Sequence, residues 1–187
     1  DDAFNRLVLL AGLDWRAVVM LRAYARYMKQ AAFTFSQTYI ENALAANPAI
    51  TALLAVVHPG DEVIVLEPCY DSYVPNIELA GGVVVRVPLT PGTFRPDFAR
   101  IAAALSPKTR AIIVNTPHNP SATVWTEQDM QRLAELLRPT DVLLIADEVY
   151  EHMVYDGARH ESVARHDELA QRAFIVSSFG KTYHVTG

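Results

Sequence analysis

The chain has 187 residues, 51% of them hydrophobic, which is enough to bury the core of one ordinary domain. Its formal net charge of -5 is mild and its basic residues are scattered, which argues against a dedicated nucleic-acid surface. Cys69 is the only cysteine, so an internal disulfide is excluded and a reducing cytoplasm is expected. Because there is no signal-peptide pattern and no apolar run long enough to span a bilayer, we expect a soluble protein.

Residues 1–54 have a helical pattern. Asp14 can cap a first helix, and Ser36 can cap a second. Apolar residues of the first helix recur every three or four positions, at Val18, Leu21, Ala25 and Met28. Its polar face carries Arg22, Arg26 and Lys29. That face is most simply a solvated one, with partner binding as the alternative. A third, short helix is predicted over 50–57.

Beyond Gly60, short apolar runs alternate with amphipathic helices. Five runs rich in Val and Ile have the length of strands: 62–66, 83–89, 111–114, 142–146 and 174–176. They mostly lack period-two alternation, which predicts strands covered on both faces. Strands alternating with helices indicate an α/β fold with a mostly parallel sheet.

Two amphipathic helices separate these runs. One is predicted to bury Phe98, Ile101, Ala102 and Leu105, and the next Met130, Leu133, Ala134 and Leu137. Thr126 is the expected N-cap of the second helix.

Polar side chains capable of chemistry follow four of the runs. In an open α/β sheet, ligands bind outside the carboxyl ends of the strands, so these residues should meet at one edge. They are Tyr70 after the first run, Asn119 after the third, Asp147 and Tyr150 after the fourth, and Ser178 and Lys181 after the fifth.

This set suits pyridoxal phosphate. A carboxylate such as Asp147, paired with the pyridine nitrogen, keeps the ring protonated and therefore an electron sink. Asn119 and Tyr150 can donate to the 3′-oxygen, and the ring of Tyr70 can stack on the cofactor. The amine of Lys181 can form the covalent bond to the cofactor and later act as a general base.

Structural alternatives exist for several of these residues. Lys181 alone would be an ordinary surface lysine, and Tyr70 could simply pack under a loop. Asp147 and Glu148 could be a helix cap or a metal-ligand pair. The six histidines form no helical pair four residues apart with an adjacent acid, so no zinc site is predicted.

Three ordered segments resemble the signatures of class I/II aminotransferases of fold type I, with the methionine or kynurenine aminotransferase-like branch nearest. The segments are 115–120 (NTPHNP), 146–150 (ADEVY) and 177–187 (SSFGKTYHVTG). The resemblance implies that Lys181 is the Schiff-base lysine and Asp147 the partner of the pyridine nitrogen. It assigns the remaining cofactor contacts to Asn119 and Tyr150 at the 3′-oxygen, Ser178 at the phosphate and Tyr70 on the ring face.

The resemblance covers about residues 55–187, an incomplete large domain. The family's Gly-rich phosphate turn, its carboxylate-binding arginine and its small domain have no match here. Residues 1–54 instead resemble an internal helical stretch of the very large bacterial NAD-dependent glutamate dehydrogenases, which implies a segment of different origin but no NAD binding. An incomplete parallel sheet would also expose apolar edges, so poor solubility is expected.

Three functions follow as hypotheses. The first is a pyridoxal-phosphate aminotransferase that exchanges an amino group between an apolar, sulfur-containing or aromatic amino acid and a 2-oxo acid, and the family resemblance implies a homodimer. The second is a catalytically inactive fragment. The third is a fusion in which residues 1–54 act only as a structural or interaction module.

Overall fold

The computed structural model describes residues 14–19, 21–22 and 48–183. In this part of the chain, five strands form one parallel sheet in the order β2-β1-β3-β4-β5. They are β1 (Glu62–Glu67), β2 (Val83–Pro88), β3 (Thr109–Asn115), β4 (Leu143–Asp147) and β5 (Ala173–Val176). Each predicted strand is therefore confirmed, with bounds that differ by no more than two residues.

Helices connect the strands and cover both faces of the sheet. They are α1 (Pro48–Val56), α2 (Tyr73–Leu79), α3 (Phe98–Ala104), α4 (Glu127–Leu137), α5 (Asp167–Ala170) and α6 (Phe179–Tyr183). A 3-10 turn, Val163–Arg165, precedes α5. None of the described helices has the length and apolar character that a bilayer crossing needs.

The two faces of the sheet have separate apolar cores. On one face, Leu53 and Val56 of α1 and Ile77 of α2 pack with strand residues that include Val65 and Ile113. On the other face, Ile101 of α3 and the buried side of α4 pack against the alternate strand residues, among them Ile112 and Leu144. The middle strands are buried on both sides, which is why their sequences read as continuous apolar runs.

Helix α4 follows its sequence signals closely. Thr126 caps it, and the Asp129 side chain bonds back to the Thr126 backbone, so the two complete a capping box. Met130, Leu133 and Leu137 are buried as predicted, and Ala134 is partly buried. Arg95 forms an ion pair with Asp129 and donates to the Val124 carbonyl at 2.8 Å, which ties the loop after β2 to the start of α4.

Two expectations need correction, and one helix was missed. Strand β2 lies at an edge and is largely exposed, so it is not covered on both faces. Ala102 is exposed because α3 ends at Ala104 and buries little beyond Ile101. Helix α2 was not predicted, since it is only seven residues long and carries Pro75 in its first turn.

The amino-terminal predictions are covered only in part. Asp14 does cap a helical segment, accepting the Ala17 N–H at 2.8 Å, and Val18 and Leu21 are buried. Ala25, Met28, Arg26, Lys29 and Ser36 lie outside the described residues. The third predicted helix is observed as α1.

We predict that Leu133→Ala lowers the free energy of unfolding by about 2–5 kcal/mol, because it opens a cavity in a fully buried part of the core. Urea denaturation followed by circular dichroism measures this. Glu135→Ala, on the exposed side of the same helix, is the control and should change stability by no more than about 0.5 kcal/mol. An equal loss in both variants would show that α4 is not packed as described.

Candidate active site

The carboxyl edge of the sheet collects the predicted site residues. The chain passes from β1 to β2 on one side and then returns to β3 on the other, so the sheet has a switch point between β1 and β3. Asn115, Asp147 and Val176 end β3, β4 and β5 and are paired in register, Asn115 with Asp147 and Asp147 with Val176. The loops that follow them therefore begin side by side.

Asp147 is a buried carboxyl group at this edge, with only 6% of its surface exposed. One carboxylate oxygen, Oδ2, accepts a hydrogen bond from the Tyr73 hydroxyl, and the other accepts the Val149 N–H at 3.3 Å. Burial raises the pKa of Asp147, while the Tyr73 and Val149 hydrogen bonds and the charge of Lys181 act in the opposite direction. The carboxylate retains unused lone pairs that can accept a further N–H donor.

Asn115 links the loop after β3, which contains Asn119, to the end of β4. Its Nδ2 donates to the Asp147 carbonyl at 2.8 Å, and its Oδ1 accepts the Asn119 N–H at 2.6 Å. Thr116 N–H also donates to the Asp147 carbonyl, at 3.1 Å. These bonds fix the backbone of Asn119 and Asp147 relative to each other, so Asn115 has a positioning role that the sequence analysis did not assign.

Tyr70 lies after β1 with 40% of its surface exposed, so it is not a core residue. The edge of one ring meets the face of the other between Tyr70 and Tyr73, with the centroids 5.6 Å apart and the planes at 82°. Tyr73 is buried in the first turn of α2 and connects this aromatic pair to Asp147.

Lys181 lies in α6, close to Tyr150. Its Nζ is 5.6 Å from the centroid of the Tyr150 ring, a cation–π distance, and its charge also acts on Asp147. The Lys181 N–H donates to Ser178 Oγ at 3.2 Å, so Ser178 helps to begin this short helix. Lys181 is exposed, and its amine is accessible from solvent.

A cleft between β1 and β3 opens at the same edge. Cys69, Tyr73, Asn115 and His118 line it together with apolar side chains. Burial is the main cause that raises the pKa of Cys69 and lowers that of His118, which a hydrogen bond to the Pro68 carbonyl partly offsets. Both groups are therefore uncharged near neutral pH.

Glu148, the neighbour of Asp147, has a structural role. It is 1% exposed, accepts from His160 Nε2 at 2.8 Å and accepts the Val163 N–H at 2.8 Å. Glu151 lies near enough that the three side chains could together hold a metal ion. The two donors to Glu148, His160 and the Val163 N–H, both lie on the segment that follows β4, so we interpret these hydrogen bonds as an anchor for that segment.

The structure brings the six predicted site residues to one sheet edge but connects them unequally. The charge of Lys181 acts on Asp147, and its amine lies near the Tyr150 ring. Tyr70 and Asn119 are connected to Asp147 through Tyr73 and Asn115. Tyr73 and Asn115 were missed. Their available signals were weak: a tyrosine one helical turn after Tyr70, and an amide directly at the end of a buried strand.

We predict that, as the pH rises above about 4, the melting temperature of Asp147→Asn increases relative to that of the unsubstituted chain and levels off once the native carboxyl group has lost its proton. The native pKa of Asp147 is raised above its ordinary value of 3.8, so the chain loses stability as the pH rises from that ordinary value to the native pKa. Asparagine has no proton to lose. Differential scanning calorimetry at several pH values, without cofactor, measures the difference.

Asp141→Asn provides the matched control, because Asp141 is exposed and its carboxylate remains hydrated in the folded chain. Its melting temperature should follow the unsubstituted chain at every pH. A difference in melting temperature between Asp147→Asn and the unsubstituted chain that does not change with pH would contradict the raised pKa of Asp147.

Comparisons with known proteins identify the family. The sequence model of the family described as aminotransferase class I and II matches residues 13–187. The methionine aminotransferase of Escherichia coli strain K12 is 52% identical over 136 residues, which are 73% of this chain and 35% of that protein. A probable N-succinyldiaminopimelate aminotransferase of Mycobacterium tuberculosis is 40% identical over 154 residues, 81% of this chain and 39% of that protein.

Solved structures match the same region. The YbdL protein of Escherichia coli, described as having a methionine aminotransferase function, aligns with a TM-score of 0.72 and 50% identity over 74% of this chain and 37% of that one. The Mycobacterium tuberculosis N-succinyldiaminopimelate aminotransferase aligns with a TM-score of 0.71 and 42% identity, with the same coverage. The chain thus spans less than two fifths of the length of these relatives. It belongs to the class I and II aminotransferase family, whose members use pyridoxal 5′-phosphate.

Proposed function

We propose that this chain carries the cofactor-binding part of a pyridoxal-phosphate-dependent aminotransferase, which moves an amino group between an amino acid and a 2-oxo acid. One observation carries the proposal. A solvent-accessible amine, Lys181, and a buried carboxylate, Asp147, lie at the same sheet edge, close enough for the lysine charge to act on the acid. This is the pairing that the cofactor's aldehyde and ring nitrogen need.

The remaining residues fit the cofactor as well. We assign Tyr70 to the ring face, Asn119 and Tyr150 to the 3′-oxygen and Ser178 to the phosphate, as the family resemblance implies. The exposed ring of Tyr70 supports its assignment to the ring face, and the hydrogen bond from the Asn119 N–H to Asn115 supports the assignment of Asn119. When bound, pyridoxal phosphate supplies the electron sink that stabilises negative charge at the α-carbon of the substrate.

The protein's own groups then have separable tasks. Asp147, held by donors from two elements, can accept the ring N–H and keep that nitrogen protonated. Lys181, on α6, can hold the cofactor and, once free, move a proton at the α-carbon. Tyr150 places its ring beside the lysine Nζ and so limits where the amine can lie.

The substrate is proposed from resemblance alone. We infer an apolar, sulfur-containing or aromatic amino acid, in keeping with relatives named for methionine and for kynurenine. We also propose a homodimer in the cytoplasm. Size-exclusion chromatography with light scattering tests the dimer.

The two-part organisation stays a prediction. It assigns residues 1–54 to a helical segment of different origin, similar to large glutamate dehydrogenases, and 55–187 to the partial cofactor domain. The junction at 54 falls inside α1, and the match to the aminotransferase family begins at residue 13. An inactive chain, in which 1–54 only mediates interactions, is the alternative to an active enzyme.

We predict that pyridoxal phosphate, added to the purified chain and fixed with borohydride, labels Lys181. The chain has only three lysines, Lys29, Lys108 and Lys181, so peptide mapping by mass spectrometry can assign the label without ambiguity. Lys181→Ala should remove the label and the absorbance band of the bound cofactor. Lys108→Ala, at another exposed lysine, is the control and should retain both.

A label spread evenly over the three lysines would contradict the proposed cofactor site. Specific labelling without amino-group transfer in an amino-acid screen would instead favour the inactive alternative.

A further inference from the structure

The tyrosine that touches Asp147 has no role among the cofactor contacts assigned above. Tyr73 is 3% exposed, and its hydroxyl donates to Oδ2 of Asp147. Its ring lies edge-on to that of Tyr70. Tyr73 therefore contacts two of the proposed cofactor-binding residues while being buried beneath them.

We propose that Tyr73 is a positioning residue whose hydroxyl holds the Asp147 carboxylate in the orientation and charge state that the ring nitrogen of the cofactor requires. This inference rests on the proposed function. It concerns the hydroxyl oxygen of one side chain, so it can be separated from the packing role of the ring.

The Tyr73 hydroxyl first fixes the orientation of the Asp147 carboxylate. A carboxylate at the end of a strand can rotate about its Cβ–Cγ bond unless both oxygens have fixed partners. Here the Val149 N–H holds Oδ1 and the Tyr73 hydroxyl holds Oδ2. The two donors come from different elements, β4's own loop and α2, so the plane of the carboxylate is defined and its unused lone pairs have a fixed direction.

The Tyr73 hydroxyl also affects the charge of Asp147. A buried carboxylate without donors takes up a proton, and a neutral acid cannot hold the ring nitrogen in its protonated form. Burial and the adjacent Asp147 raise the pKa of Tyr73, so the phenol keeps its proton at any physiological pH and has a hydrogen to donate to the ionised carboxylate. Tyr73 thus favours the ionised form of Asp147.

Other charged or titratable groups face this pair, and none of those described duplicates the hydroxyl. Lys181 favours the ionised form of Asp147, but its amine is the group that bonds to the cofactor and is then no longer a free cation. Glu148 opposes ionisation of Asp147. The groups that act on Tyr73, besides Asp147, are Cys69 and Tyr150.

The competing interpretation is that Tyr73 only fills the core beside Ile77. Tyr73→Phe distinguishes the two, because it retains the ring and removes the hydroxyl. Tyr155→Phe makes the same chemical change at an exposed position and is the matched control.

The experiment uses the 187-residue chain labelled with ¹³C at the aspartate carboxyl carbons. Each variant is titrated by NMR without cofactor, and Asp147→Asn assigns the Asp147 signal. In Tyr73→Phe the pKa of Asp147 should move upward, whereas in Tyr155→Phe it should stay where it is in the unsubstituted chain. An Asp147 titration that is identical in the unsubstituted chain and in Tyr73→Phe would overturn the inference.

Cofactor binding gives a second readout. Tyr73→Phe should weaken pyridoxal phosphate binding by about tenfold or more, the usual effect of losing a hydrogen bond to a charged group, and the loss of binding at acid pH should begin at a higher pH. Unchanged affinity and an unchanged acid edge count against the role of Tyr73. If the unsubstituted chain binds no cofactor, the proposed function fails, while the titration of the cofactor-free chain still decides the role of Tyr73.

A third measurement applies if Tyr73→Phe does not fold. In the unsubstituted chain labelled at the tyrosine Cζ, the Tyr73 signal should follow the titration of Asp147 and should lose that dependence in Asp147→Asn. A Tyr73 signal that ignores the titration would show that the hydroxyl does not hold the carboxylate.

Discussion

The site depends on one costly feature, a carboxylate buried where a parallel sheet ends. Asp147 loses most of its hydration there, and an unpaired buried charge is strongly unfavourable. The compensating groups are the Val149 N–H, the Tyr73 hydroxyl and the charge of Lys181. They come from the loop after β4, from α2 and from α6, so segments far apart in sequence must converge on one side chain. The positions of the segments at this edge are thus determined by electrostatic interactions as well as by apolar packing.

The topology makes that convergence possible. Because β1 leads to β2 while β3, β4 and β5 extend the sheet in the other direction, α2 lies on the face opposite α3 and α4. Tyr73 on α2 therefore overlies the face toward which Asp147 points. The loop of Tyr70 precedes α2 directly, so the same connection supplies an exposed ring above and a buried donor below.

Much of the fold could be predicted from the sequence, because its signals are local. The middle strands are continuous runs of Val, Ile and Leu, and α4 has both a capping box and a clear apolar face. Edge position is not local: β2 is as apolar as β1, and only the pairing order shows that it is exposed. Helix α2 escaped prediction because seven residues with a proline show no clear period. The six proposed site residues were predicted from their chemical type and their position after the strands. Tyr73 and Asn115 act through partners that only the tertiary structure identifies.

The adjacent pair Asp147 and Glu148 shows where that limit lies. Side chains along a strand alternate between faces, so Asp147 falls on the side of Ile145 and α2, while Glu148 falls on the side of Leu144, Ala146 and Val163. This alternation places Asp147 on the face of Tyr73 and Glu148 on the face where it pairs with His160. In a strand that is covered on both faces, the residues before the acidic pair are all apolar. The sequence therefore does not indicate which face each carboxylate occupies. Each carboxylate has one donor on each oxygen, so the positions of the donors make the distinction. Glu148 accepts from His160 and from the Val163 N–H, on the segment that follows β4, whereas Asp147 accepts from Tyr73, which lines the cleft. Of two chemically similar neighbours, Asp147 is therefore the one that is connected to the cleft.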